Sequence, residues 1–78
     1  MANTKEALTP RELREQKKLT LREVGRRLGT SHSYIHSLEE NLNPGLITLQ
    51  RYATAIETPL PLVVAGFVKL SEKSLQTP

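Results

Sequence analysis

No cysteine occurs in this chain, so disulfides and thiolate metal sites are excluded. That absence fits a reducing compartment. Long apolar runs are missing as well: the longest, residues 60–68, is too short to span a bilayer. The first residues are polar and no uninterrupted apolar segment follows them, so no secretory leader is expected. The expectation is a soluble, cytoplasmic protein without membrane attachment. No stretch combines strict alternation with β-branched residues, so no sheet is expected. Repeats and low-complexity segments are absent, and so is a phosphate-binding glycine loop. Ser31, His32, Ser33, His36 and Ser37 suggest catalysis by composition only. They are neighbours on one short segment and do not converge from several, so no enzyme is expected. No cofactor is expected either.

What is present is one small domain. A chain of 78 residues buries a modest core and has a thin stability margin. Its net charge is +3. The bias is uneven: Lys5, Arg11, Arg14, Lys17, Lys18, Arg22, Arg26 and Arg27 precede position 28, and only Arg51, Lys69 and Lys73 follow. A positive field over the N-terminal third suits a polyanion, although ordinary solvated helix faces carry such charges too.

Helix starts are legible. Thr9-Pro10-Arg11-Glu12 has the form of a capping box with proline at the first helical position, flanked by Leu8 and Leu13 as a hydrophobic staple. Thr20-Leu21-Arg22-Glu23 repeats the pattern, with Leu19 and Val24 as the staple. The first helix is expected over 10–17, closed by Lys17 and Lys18, and the second over 21–28. Leu21, Val24, Gly25 and Leu28 make one apolar face of the second, where Gly25 allows another helix to approach closely. Gly29 ends it, and Ser31 caps a third helix over 32–40, with Ile35, Leu38 and Leu42 pointing inward. After the turn chemistry of Asn41 to Gly45, a fourth helix is expected over 46–56 and a fifth over 61–70. Residues 1–7 read as a flexible lead, 8–70 as the domain and 71–78 as a flexible tail. The fold class is all-α, five helices around one core.

Two helices joined by a tight glycine turn form the supersecondary unit that lays its second helix in the DNA major groove. The wider pattern is more specific: residues 13–20, then Glu23-Val24-Gly25, Leu28-Gly29-Thr30-Ser31, Ser33-Tyr34-Ile35, Leu38-Glu39, Asn43-Pro44, Leu49 and Ala53. It resembles the Cro/C1-type, or XRE-type, helix-turn-helix family of phage and bacterial repressors over residues 8–70. The resemblance implies a five-helix, lambda-repressor-like domain that regulates transcription, with a bacterial, phage or plasmid origin. It also implies an ion pair between Arg14 and Glu39. The chain departs from many relatives at Leu21, where they carry glutamine, at His32, where they carry glutamine or arginine, and at Glu40-Asn41, where they carry glycine.

With Ile35 and Leu38 inward, helical periodicity turns Ser33, His36, Ser37 and Glu40 outward, with His32 on the first turn. His32, Ser33, His36 and Ser37 are therefore the candidates for reading bases of double-stranded DNA. Lys17, Lys18, Arg22, Arg26 and Arg27 are the candidates for phosphates, with Tyr34 beside the outward face. His32 and His36, four apart, are spaced to share a metal ion, but groove contact explains the same positions and no metal is expected. In the fifth helix Leu60, Val63, Phe67 and Leu70 close the core, which leaves Leu62, Val64 and Val68 as a spare apolar strip. Two occupants are open: a second copy, giving a homodimer, or a protein partner of the antitoxin or adapter kind.

Overall fold

The computed structural model describes residues 7–75. Five helices follow one another: α1 (Pro10–Gln16), α2 (Leu21–Leu28), α3 (His32–Glu39), α4 (Leu46–Ala55) and α5 (Leu60–Leu75). Among the described residues there is no strand. Residues 1–6 of the expected lead and 76–78 of the expected tail lie outside the described residues.

Thr9 opens α1 with a complete capping box: its amide donates to Glu12 Oε1 at 2.9 Å and its hydroxyl accepts from the Glu12 amide at 3.3 Å. α2 has half of that motif. The Thr20 hydroxyl accepts from the Glu23 amide at 3.0 Å, but the Glu23 carboxylate turns to Arg26 at 3.5 Å and Arg27 at 3.8 Å. Two cations three and four residues on outcompete a neutral amide for it. Gly29 ends α2 in the left-handed conformation, with φ +67°, and Ser31 Oγ then accepts from the Tyr34 amide at 3.1 Å to start α3.

Val24, Ile35, Tyr52, Ile56 and Val63 are wholly buried, packed with Leu13, Leu38, Ala53, Ala55 and Phe67. Leu8, Leu19, Leu21, Leu28, Leu49, Leu60 and Leu70 rim this core. Two glycines permit close backbone approaches. A Cβ on Gly25 would stand 2.8 Å from the Thr30 carbonyl oxygen, so the neighbour it admits is the turn into α3 and not a separate helix. A Cβ on Gly66 would stand 2.6 Å from the Leu8 carbonyl oxygen, which seats α5 against the entry to α1.

Three expectations change. Leu42 is 48% exposed, because α3 stops at Glu39 and an Asn43 amide to Asn41 Oδ1 bond of 2.9 Å takes the chain out of helical register. α5 runs five residues beyond position 70, through Ser71-Glu72-Lys73, where no glycine or proline interrupts it. Ala7, expected to fray, has its carbonyl oxygen held by Lys69 Nζ at 2.7 Å.

Candidate nucleic-acid interface

α3 is fixed from beneath. Arg14 is 6% exposed and Glu39 5% exposed. Arg14 Nε donates to Glu39 Oε2 at 2.6 Å and Nη2 to Oε1 at 3.3 Å, a two-pronged pair from α1 to α3. Arg14 Nη1 also donates to the Leu19 carbonyl oxygen at 2.7 Å, which secures the turn into α2. From α4 the Tyr52 hydroxyl reaches Glu39 Oε2 at 2.6 Å and the Pro10 carbonyl oxygen at 3.1 Å. Burial opposes the Arg14 charge, but the hydrogen bond and charge of Glu39 outweigh it and raise its pKa. Burial, then the bond to Glu39, pushes the Tyr52 phenol well above its ordinary range. Tyr52 was missed as a member of this group. Its only sequence signal is a phenol on the apolar stripe of α4, which needs a partner when buried.

Fastened this way, α3 presents His32, Ser33, Tyr34, His36, Ser37 and Glu40 to the outside. At 100° per residue, Ser33 and Ser37 lie roughly opposite Ile35 and Leu38, at the centre of the outer face. His36 sits to one side, with Nδ1 at 3.7 Å from Glu40 Oε1. His32 is on the same side, in a recess shared with Lys18, Thr20 and Arg22 of the α1–α2 turn and the start of α2. Tyr34 is on the other side, toward α4. Among the described residues, no group of three His, Asp or Glu side chains is placed to hold a metal ion.

The cations divide. Lys18 and Arg22 stand at the α3 flank, and Lys18 holds the positive φ of 58° that ends α1. Lys17 caps α1 and is exposed, outside that recess. Arg26 is exposed beside Glu23. Arg27, a phosphate candidate in the sequence, is engaged within the protein. Its Nη1 donates to the Ala55 carbonyl oxygen at 2.6 Å and to Glu57 Oε2 at 3.0 Å, so its fork closes the C-terminal end of α4. A bare helix C-terminus carries partial negative charge and lies within reach, which gives the guanidinium an acceptor inside the protein.

The strip on α5 is open. Leu62, Val64 and Val68 are exposed, and so are Leu42, Leu46 and Ile47, the last by 72%. Leu42, Pro44 and Leu49 join Val64, Phe67 and Val68 around one shallow groove. Among the described residues no single helix is long and apolar enough to cross a membrane.

A sequence profile of the helix-turn-helix family, Cro/C1-type, matches residues 11–63. No curated protein and no solved structure matches the chain.

Proposed function

The chain belongs to the Cro/C1-type helix-turn-helix family of DNA-binding regulators, and from that membership we propose that it is a sequence-specific repressor that reads the major groove with α3. The observation that carries this reading is the outer face of α3. It offers hydrogen-bonding side chains to solvent on a helix locked by a buried ion pair. His32 and His36 donate to the guanine acceptors N7 and O6, while Ser33 and Ser37 donate to or accept from several base edges. α3 holds no lysine or arginine, so attraction to phosphates comes from its flanks: Lys18 and Arg22, with Lys17 and Arg26 further out and Tyr34 opposite. A domain seated in the groove blocks other proteins from the same duplex, which is repression in its simplest form.

In this reading two copies pair through Leu62, Val64 and Val68 of α5. Twofold pairing spaces two recognition helices about one turn of DNA apart, roughly 34 Å. The exposed Leu42, Leu46 and Ile47 favour a second reading, in which the apolar surface takes a heterologous protein, as in antitoxin-type regulators.

The test is selection of random duplexes by the purified protein, followed by sequencing, with sedimentation equilibrium for the free protein. A motif of two half-sites about 10 base pairs apart and a dimer in solution support the proposal. Failure to retain any duplex at low salt rejects it and leaves the protein-partner reading.

A further inference from the structure

Across α3 from the Lys18–Arg22–His32 recess is a second recess, of about 290 Å³. Thr30 of the α2–α3 turn, Tyr34 of α3, and Thr48 and Arg51 of α4 line it, over Leu28 and Leu38. Its polar groups are three hydroxyls and one guanidinium, with no carboxylate among them. Arg51 Nη2 donates to the Leu28 carbonyl oxygen at 3.2 Å, which anchors the side chain and leaves most of its five N–H donors unused. Arg11, Arg14, Arg26 and Arg27 each face a carboxylate within 4.0 Å; among the described residues Arg51 does not. Arg51 and Tyr34 are both exposed.

A cluster of this composition recognises an anion with several oxygens and a single charge. We propose that the Tyr34–Thr48–Arg51 recess binds a backbone phosphate of the second DNA strand, opposite the strand held by Lys18 and Arg22. The proposal rests on the DNA-binding reading above and adds a phosphate site that α4 supplies. The geometry of a duplex gives the reason. The major groove is about 12 Å wide and an α-helix with its side chains is about 10–12 Å across, so a helix in the groove meets a phosphate row on each side. On one flank of α3 Lys18 and Arg22 stand in a recess that Glu15 also lines; the Arg51 recess, with no carboxylate, completes the other. The carbonyl of Leu28 holds the guanidinium in place before DNA arrives, so little side-chain freedom is lost on binding.

The experiment uses the duplex chosen by the selection, with single phosphates replaced in turn by neutral methylphosphonates along both strands, and fluorescence anisotropy over a range of salt. Within each half-site, wild-type protein is expected to lose affinity at positions on both strands. Arg51→Gln is expected to become insensitive on one strand of each half-site and stay sensitive on the other. The magnitude of its slope of log affinity against log salt falls by about 0.9, so a fourfold rise in salt narrows its gap from wild type about 3.5-fold. Arg51→Lys keeps the slope. Sensitivity of the wild type on one strand only within each half-site, or an Arg51→Gln variant with both sets of sensitive positions and an unchanged slope, overturns the inference. The wild-type scan decides alone if Arg51→Gln does not fold. Added inorganic phosphate at matched ionic strength is expected not to compete, and strong competition marks a site for free anions instead. A wild type that binds no duplex removes the DNA reading itself, and this inference with it.

Discussion

Replacing Glu39 with glutamine keeps the shape of the side chain and removes its charge. In the native fold that carboxylate accepts from Arg14 Nε at 2.6 Å, Arg14 Nη2 at 3.3 Å and the Tyr52 hydroxyl at 2.6 Å. A glutamine offers one carbonyl oxygen, and its amide nitrogen sets a donor against a donor. Arg14 then stays buried with no opposite charge, its acceptors reduced to the Leu19 carbonyl and at most the one amide oxygen of the glutamine. Removing one partner of a buried pair costs about 3–5 kcal/mol. A domain of this size is stable by roughly 4–12 kcal/mol at the usual value per residue, so Glu39→Gln removes a large share of it. At about 4–8 °C per kcal/mol, the unfolding temperature falls by roughly 12–40 °C, read by circular dichroism. Replacing both partners, Arg14→Met with Glu39→Leu, leaves no stranded charge and is expected to be much milder than the two single costs added together. Tyr52 then still has the Pro10 carbonyl. A double-mutant cycle on urea midpoints gives the coupling, expected at about 2 kcal/mol or more. Strict additivity, or a Glu39→Gln cost under about 1 kcal/mol, refutes the argument that this pair fixes α3.

Gly66→Ala and Gly25→Ala are both expected to lower stability by about 1–3 kcal/mol, read from urea unfolding, although alanine is the better helix former, because their Cβ atoms would stand 2.6 Å and 2.8 Å from backbone carbonyl oxygens. The backbone and hydroxyl hydrogen bonds of Thr9 hold the Glu12 carboxyl below its usual value, so the capping box stabilises fully above about pH 4.3 and is lost as pH falls through the lower folded value. Glu12→Gln is expected to flatten that part of the acid-unfolding profile. Arg27→Met is expected to cost about 1.5–3 kcal/mol of stability and leave the salt dependence of DNA binding intact, whereas Arg22→Gln lowers the salt slope by about 0.9 and spares stability.

Local chemistry explains which parts were readable. Thr9 and Glu12, Gly29, and Ser31 act on backbone groups within four residues, so their roles show in the sequence. The outer face of α3 follows from the period of Ile35 and Leu38, whatever the rest of the chain does. Competition between partners is harder to read. Glu23 had an amide and two arginines within reach, and only the geometry shows that it chose the arginines. Lys18 and Glu57 hold φ of 58° and 54° where glycine would be the ordinary signal of a turn, so the ends of α1 and α4 carry no such mark. The third member of the buried network, Tyr52, comes from 13 residues further on and no local rule links it to Glu39.

The same limit governs the charge. An arginine meets the C-terminal carbonyls of a helix and a DNA phosphate with the same N–H donors, so a sequence alone cannot assign it to one. Here α2 and α4 exchange arginines: Arg27 of α2 closes the end of α4 at Ala55, and Arg51 of α4 reaches the end of α2 at Leu28. The exchange is unequal. Arg27 also meets Glu57 and Glu23, and its charge is largely answered within the protein. Arg51 meets a carbonyl at 3.2 Å and keeps its charge for another partner. The count of basic residues in the N-terminal third therefore does not say which charges are answered within the protein. Arg27, a phosphate candidate among its basic neighbours, is engaged by the end of α4. Arg51, 24 positions later, stands beside α3.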